Sequence, residues 1–410
     1  MSGRKENWQD MSYAFWAAFD VKRVLLGFVG VLASVLLVCG ILWPFSTLKF
    51  IDTSPTTVLA SFLMPPVEGV RNIFSAFATA FTSGNWNQYL PLALIIFGLL
   101  AIWSIIGGAI TRIASLEYAR GEKVGLKDSV KYSIKKFWSY FWGPMAPLIG
   151  VLFFVLLNAL GGLIGQIKFL EVLVALGFPI ILVFSFLILF VGIIGGVGSG
   201  LMFPTISADG SDAFDAMSRA YSYVLSKPLG FIIYCASAAA YGAVCLFIVI
   251  TAINLLVNTS FVTVGMGMGE KFQEILMTVG VFTYPSDLLA SGDFVAQAKI
   301  LFDALGSKTL VFTTIVLLFY LFLIKIVVWA VAAAFIGSAQ SVLYLLMRKD
   351  VDGTEVEDVY MEERETEFAM PSPAPESPPT PSPKPESSPT PPPPPVEPEK
   401  PEAEGGPAAA

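Results

Sequence analysis

The residue types that usually carry enzyme chemistry are scarce in this chain. It has no histidine, so the commonest general base and the commonest zinc ligand are both missing. Its three cysteines, Cys39, Cys235 and Cys245, lie inside apolar runs, where thiols behave as small hydrophobic groups. Their spacing fits neither a disulfide framework nor a metal site. We therefore expect no catalytic residue, metal or cofactor, and predict that the protein is not an enzyme.

A row of basic residues is the first feature that could bind a ligand. Lys127, Lys131 and Lys135 recur at helical spacing, and Lys123 and Lys136 lie beside them. On an amphipathic helix in the membrane surface, each such lysine contributes ~1 kcal/mol near an anionic leaflet. These five residues are candidate contacts for lipid headgroups. The same row also follows from the preference of basic residues for the cytoplasmic side, so both interpretations stay open.

One charged residue, Lys325, lies well inside an apolar run. A charge within a membrane is a functional-site hypothesis by default. One interpretation is a substrate or ion path near Lys325, with Asn158 as a candidate polar neighbour. The other is that the lysine side chain extends to the interface. No Asp or Glu lies in any of the apolar runs, so an acidic proton relay is not indicated.

Six apolar runs are long enough to cross a bilayer, which requires about 20 residues each. The chain is 55% hydrophobic with a mean hydropathy of +0.70. The runs are residues 24–43, 90–113, 145–165, 172–201, 229–257 and 310–335. The predicted fold class is an all-α membrane protein with six transmembrane helices. The long segments 44–89 and 258–308 are expected to be partly helical, including a helix from Ser286 to about Leu305.

Charge sets the predicted orientation. Counting Lys and Arg before residue 350, 15 fall on one side of the predicted spans and six on the other. The richer side is expected to be the cytoplasm, with both termini there and the chain in the cytoplasmic (inner) membrane. Residues 350–410 hold 15 acidic and 3 basic residues, whereas the rest holds 17 acidic and 22 basic. Nucleic acid is therefore not an expected partner.

An internal match indicates a repeated architecture. Residues 128–144 match residues 212–228 without a gap, so that Asp128 corresponds to Asp212 and Pro144 to Pro228. Self-similarity of this kind is strong evidence about fold. We predict three units, each an amphipathic inner helix, a span outwards and a span back. The apolar rows expected to face lipid are Trp8, Met11, Phe15 and Phe19; Leu126, Val130, Ile134, Phe137 and Phe141; and Phe214, Met217, Tyr221 and Val224.

Small residues recur on the returning spans. Gly192, Gly196 and Gly200 form a GxxxGxxxG row, and Gly107 and Gly108 lie on the second span. Small residues allow membrane helices to approach closely, so these glycines are predicted helix-packing positions. A cavity or a flexing helix is the functional alternative.

The chain divides into three predicted regions. Residues 1–23 form a cytoplasmic amphipathic segment, residues 24–349 the membrane domain, and residues 350–410 an acidic, Pro-rich disordered tail. Seventeen of the 28 prolines follow Met370. Such composition favours extended, solvated chain over a packed core. A docking ligand for a cytoplasmic protein is the functional alternative for this tail.

The third inner helix carries a recognisable pattern, made of Asp212, Ala216, Arg219, Ala220, Tyr221 and Pro228. Over roughly residues 90–345 the chain loosely resembles poorly characterised bacterial multi-pass families. One of these is the membrane domain attached to some glycerophosphodiester phosphodiesterases. The resemblance implies a six-helix cytoplasmic-membrane protein. It transfers no activity, because the soluble phosphodiesterase domain is absent from this chain.

Two functions are consistent with these patterns. The first is a non-enzymatic membrane scaffold, or a factor in envelope or lipid homeostasis, with membrane lipids as partners. The second is a transporter or channel with a polar path near Lys325. The absence of acidic residues from the spans favours the first.

Overall fold

The computed structural model describes residues 6–48, 86–283 and 307–361, together with nine isolated residues between positions 55 and 79. Every regular element in these ranges is helical, which confirms the all-α class. The predicted helix from Ser286 to Leu305 and the Pro-rich segment lie outside the described residues.

The described elements begin with a 3-10 turn at Trp8–Met11. The α-helices follow in this order: α1 (Ser12–Ala17), α2 (Val21–Thr47), α3 (Trp86–Arg120), α4 (Leu126–Lys135), α5 (Phe137–Ile164), α6 (Glu171–Leu176), α7 (Phe178–Asp209), α8 (Ala213–Ser226), α9 (Pro228–Met268), α10 (Glu270–Thr283) and α11 (Lys308–Asp352).

Six of the described helices, α2, α3, α5, α7, α9 and α11, are long and apolar enough to cross a bilayer. Each overlaps one of the six predicted runs, so the prediction of six helices of spanning length and composition is confirmed. The fourth run begins differently from the prediction. Its first residues belong to the short helix α6, and α7 starts only after Gly177.

Four of the long helices, α3, α7, α9 and α11, continue well beyond the predicted spans. Helices α3, α7 and α11 stop at Gly121, Gly210 and Gly353, whose φ angles are 71°, 66° and 69°. Glycine adopts this left-handed conformation without steric cost and so ends a helix. The helices therefore end where the backbone is capped, not where the hydrophobic run ends.

The returning helices form the centre of the bundle. Helices α3, α7 and α11 contact one another in pairs. Helix α2 packs against α3 and α11, α5 packs against α3 and α7, and α9 packs against α11. We call the end that contains the starts of α2, α5 and α9 and the ends of α3, α7 and α11 the basal end.

The short helices cover the basal end. Helix α1 contacts α9 and α11, α4 contacts α3 and α5, and α8 contacts α5, α7, α9 and α11. The largest hydrophobic cluster lies here, and Tyr132, Tyr140, Met202, Tyr223 and Tyr344 are almost completely buried in it. The basal end is thus packed like the core of a water-soluble domain.

The predicted lipid-facing rows on the short helices are wrong in part. On α4 the face against the bundle carries Ser129, Tyr132 and Ser133, while Ile134 is exposed. From the predicted rows, Met11, Phe141 and Val224 are buried inside the protein. A periodic apolar row does not distinguish a protein core from a bilayer, because both exclude water. On α4 the buried face includes the small residues Ser129 and Ser133, which allow a close approach to the bundle.

The predicted glycine row on α7 is also corrected. A Cβ atom at Gly196 would meet nothing within 4 Å, so Gly196 is not a packing position within this chain. A Cβ at Gly195 would lie 2.5 Å from Pro147 Cβ and 2.8 Å from the Tyr221 hydroxyl. Of the three glycines in the predicted row, Gly196 alone lacks a neighbour, and a much closer approach occurs at the adjacent Gly195.

The other predicted glycines lie at different distances from their neighbours. A Cβ would be 2.9 Å from the Phe203 ring at Gly107 and 2.8 Å from the Tyr140 ring at Gly108. At Gly192 the nearest atom would be 3.6 Å away, on Val151, which is ordinary van der Waals contact. At Gly200 it would be the Gln340 side chain, at 3.4 Å.

Candidate functional site

A buried arginine joins four helices at the basal end. Arg23, at the start of α2, is fully buried and forms an ion pair with Glu117 on α3. Its guanidinium also donates to the Ala17 carbonyl at 3.2 Å, the Tyr13 hydroxyl at 3.0 Å and Ser338 Oγ at 3.4 Å. A buried charge is tolerated only when it is paired in this way. Arg23 therefore ties α1, α2, α3 and α11 together.

A second arginine lies between α3 and α7. Arg112 is nearly buried and donates to the Ser207 carbonyl at 2.5 Å. Its guanidinium lies over the Tyr132 ring of α4, 4.2 Å from the ring centroid. The Ser207 hydroxyl lies 2.6 Å from Thr111 Oγ1 and 2.8 Å from the Tyr140 hydroxyl. This network links α3, α4, α5 and α7.

The third centre is Asp209, the last residue of α7. Its Oδ1 accepts from Arg348 Nη1 at 2.5 Å and its Oδ2 accepts from Arg219 Nη1 at 2.8 Å. The Tyr344 hydroxyl donates to the same carboxylate. A negative charge at a helix C-terminus opposes the helix dipole. The two arginines compensate for this and join α7 to α8 and α11.

Tyrosine hydroxyls hold the end of α11 to α8 and α9. The Tyr234 hydroxyl donates to Asp350 Oδ2 at 2.8 Å, and the Tyr223 hydroxyl donates to Asp352. Burial raises the pKa of Tyr223, and its hydrogen bond to Asp352 adds to this effect. Burial also raises the pKa of Tyr13, beside Arg23. Both phenols therefore remain neutral hydrogen-bond donors through the physiological range.

Residues 354–360, which we call the basal strap, lie across this end of the bundle. Arg348 Nη2 donates to the carbonyls of Glu355, at 3.1 Å, and Asp358, at 2.6 Å. Arg120, at the end of α3, donates to the carbonyls of Glu357, at 3.0 Å, and Val359, at 3.2 Å. The strap is therefore held by guanidinium groups from two different helices.

The strap also has two apolar anchors and a contact with α7. Val356 and Val359 are only 1% and 4% exposed, within the main hydrophobic cluster. The Tyr360 amide donates to the Ala208 carbonyl at 2.6 Å. The predicted boundary at residue 350 is corrected by these contacts. Helix α11 runs to Asp352, and residues 353–360 belong to the packed unit. The acidic composition of residues 354–360 did not predict their packing, because they are held through main-chain carbonyls and not through their side-chain charges.

The predicted basic row occupies one exposed surface, with one exception. Lys123, Lys127, Lys131 and Lys135 have exposed side chains. Lys136 is half-buried and donates to the Gly210 carbonyl at 2.5 Å, so it fastens α4 to the end of α7. The four exposed lysines form what we call the lysine surface. Large apolar side chains lie beside it, with Trp138 66% exposed and Ile134 57% exposed.

The two predicted intramembrane polar residues are not joined. Asn158 Nδ2 donates to Ser185 Oγ at 3.1 Å and so links α5 to α7. Lys325 is half-buried on α11 and makes no hydrogen bond or ion pair with any residue that the structure describes. It lies about 20 Å along α11 from Ser338, which contacts Arg23. A lysine side chain is too short to reach Ser338 from there, and the extension of Lys325 to the interface stays a prediction.

The described residues contain no group of three or more His, Cys, Asp or Glu side chains that could hold a metal ion. Cys39, Cys235 and Cys245 are unpaired. At the basal end, Glu117 and Asp209 pair with arginines, Glu6 with Lys349, and Asp350 with the Tyr234 hydroxyl.

Sequence reasoning missed the central residues of the basal end. Arg23, Arg112 and Arg348 were counted only as charges that set orientation, and Glu117 and Asp209 were not singled out. Their position in the sequence could have indicated them. Each lies at the edge of an apolar run and still within a helix. A charge at such a position is either solvated or paired inside the protein, and only the tertiary structure distinguishes the two.

The six long apolar helices define the class of the protein, which is a multi-pass integral membrane protein. No protein-family model, curated protein or solved structure matches the chain.

Proposed function

We propose that this protein is a non-enzymatic scaffold of the cytoplasmic membrane that acts in envelope or lipid homeostasis. The observation that carries the proposal is the closed basal end. Arg23, Arg112 and Arg348 are 0%, 5% and 3% exposed, and each pairs with partners from other helices. All three networks lie at the end of the bundle that is predicted to face the cytoplasm.

Such networks favour one rigid state over alternating states. Breaking a buried ion pair by removing one partner costs on the order of 3–5 kcal/mol. A transport cycle would have to separate α3, α7 and α11 at the basal end, and so break several such contacts at once. A scaffold has no such requirement, because it needs a stable surface.

We propose that the bundle is built from three related units. In each unit a short helix, α1, α4 or α8, precedes an outgoing helix, and the returning helix is α3, α7 or α11. The returning helices contact one another in pairs at the centre of the bundle, and this shared position supports the arrangement. Three similar units would place three short helices at the same membrane face.

Anionic lipid is the proposed ligand of this face. The lysine surface supplies positive charge, and the exposed Trp138 supplies a ring of the kind that lies at headgroup level. The Pro-rich segment is a proposed docking ligand for a cytoplasmic protein, on the basis of its composition alone.

Lipid binding by the purified protein tests this proposal. We would reconstitute the protein with mixed neutral and anionic lipids, exchange it into detergent, and count retained anionic lipids by native mass spectrometry. Lys127→Gln together with Lys131→Gln should lower the anionic-lipid occupancy several-fold, since each lysine contributes ~1 kcal/mol. Lys168→Gln together with Lys271→Gln is the matched control, because both lysines are exposed but lie outside the basal surface. Equal losses in the two double variants would contradict the proposal.

A second candidate function is transport along a path near Lys325. The observation in its favour is that Lys325 is a half-buried charge without a partner among the described residues. A charge inside the hydrocarbon region lowers stability, so its presence there indicates a possible functional site. The substitution that separates this candidate from the scaffold is given below.

A further inference from the structure

We propose that the basal strap is a detachable latch. In the latched state it holds the end of α3 against α7 and α11, and in a second state it is released and the end of α3 is held less firmly, while α7 and α11 stay joined. The strap lies between the bundle and the acidic Pro-rich segment in the chain, so any force on that segment reaches the bundle through the strap.

The latch connects the three central helices at one point each. Arg120 of α3 and Arg348 of α11 donate to four strap carbonyls, and the Ala208 carbonyl of α7 accepts from the Tyr360 amide. The Tyr360 ring also lies over Gly210, where an added Cβ would be 2.7 Å from the ring. No other described segment after α11 spans the ends of α3, α7 and α11.

The attachment is of a kind that can be released without unfolding the bundle. The strap belongs to no helix, and its apolar anchors are only two valine side chains, Val356 and Val359. Gly353, with a φ of 69°, separates the strap from α11 and provides a hinge. When the strap leaves, Arg348 keeps its bond to Asp209, so the contact between α7 and α11 persists.

Release has its largest effect on α3. The hydrogen bonds that the structure shows for Arg120 all go to the strap, so its guanidinium loses both acceptors on release. Local opening of this kind is expected for segments with few buried contacts and exposed backbone hydrogen bonds. The latch therefore controls how firmly the end of α3 is held against α7 and α11.

Cysteine reactivity measures the latch directly. In full-length protein with Cys39, Cys235 and Cys245 replaced by alanine, a Val356→Cys reporter should react slowly with a maleimide. Adding Arg120→Gln removes two hydrogen bonds from a charged donor and should raise the reaction rate about tenfold. Lys123→Gln is the matched control, because it removes one exposed positive charge nearby and leaves the strap contacts in place.

A second measurement reports on the helix ends. Spin labels at Glu122, just after α3, and Phe214, on α8, occupy exposed positions, and their separation can be measured by pulsed electron resonance. Arg120→Gln should lengthen or broaden this distance, and Lys123→Gln should not. If Arg120→Gln prevents folding, Val359→Ser tests the same latch by removing an apolar anchor. An unchanged Val356→Cys rate overturns the proposal, and so does a faster rate with an unchanged 122–214 distance.

Discussion

Asp209 and Arg348 form a direct ion pair at the basal end, with 2.5 Å between Asp209 Oδ1 and Arg348 Nη1. The two side chains are only 10% and 4% exposed. They join the last residue of α7 to the last turns of α11, and the same arginine holds the basal strap. This pair therefore connects the central bundle with the segment that follows it.

Removing the Asp209 charge should destabilise the protein strongly. Asp209→Asn leaves Arg348 buried without its carboxylate, at a cost on the order of 3–5 kcal/mol. The melting temperature in detergent should fall by several degrees or more. Asp215→Asn is the control, because the Asp215–Arg219 pair is 43% and 39% exposed and should contribute little. Equal melting temperatures for the two variants would show that the buried pair does not stabilise the fold.

Two adjacent glycines on α7 should respond very differently to substitution. Gly195→Ala places a Cβ against Pro147 and the Tyr221 hydroxyl, so the helices must separate or Tyr221 must move. Gly196→Ala, and even Gly196→Leu, meets open space and should be tolerated. The measurement is the yield of monodisperse protein after extraction in detergent. A loss at Gly196 instead would mean that this face packs against a second molecule.

The orientation of the bundle can be tested by labelling from outside the cell. In a cysteine-free background, a membrane-impermeant maleimide should modify a cysteine at Lys168, between α5 and α6, and spare one at Glu122 at the basal end. Both positions are exposed in the structure. The reverse pattern would place the lysine surface outside the cell and would remove the basis for a cytoplasmic scaffold.

The role of Lys325 is decided by one neutral substitution. Lys325→Met keeps the apolar stem and removes a charge that costs some 2.5–3.5 kcal/mol at the centre of a membrane helix, so we expect equal or slightly higher stability. If the scaffold proposal is right, the cellular phenotype should be normal. Lys325→Arg serves as the charge-retaining control. Normal folding of the Met variant with loss of function would favour transport, provided that the Arg variant retains activity.

The six spanning helices could be predicted because a bilayer imposes a fixed thickness and requires each backbone group to pair within its own helix. Any chain with six apolar runs of that length meets this condition, whatever its neighbours are. The helix ends were predicted less well. Local capping, as at Gly121 and Gly353, decides them, and a glycine signals a cap only where its φ is positive.

The basal end depended on the tertiary structure. Arg23 and Arg348 lie at the edges of apolar runs, where each could equally have been solvated. They can be buried because Glu117 and Asp209, from other helices, pair with them. The basal strap is the clearest case. Its acidic sequence indicates solvated chain, yet it is ordered through carbonyl groups that every residue possesses. Local composition does not predict which of these carbonyls is bound, because Arg120 lies far away in the chain and reaches the strap only through the tertiary fold.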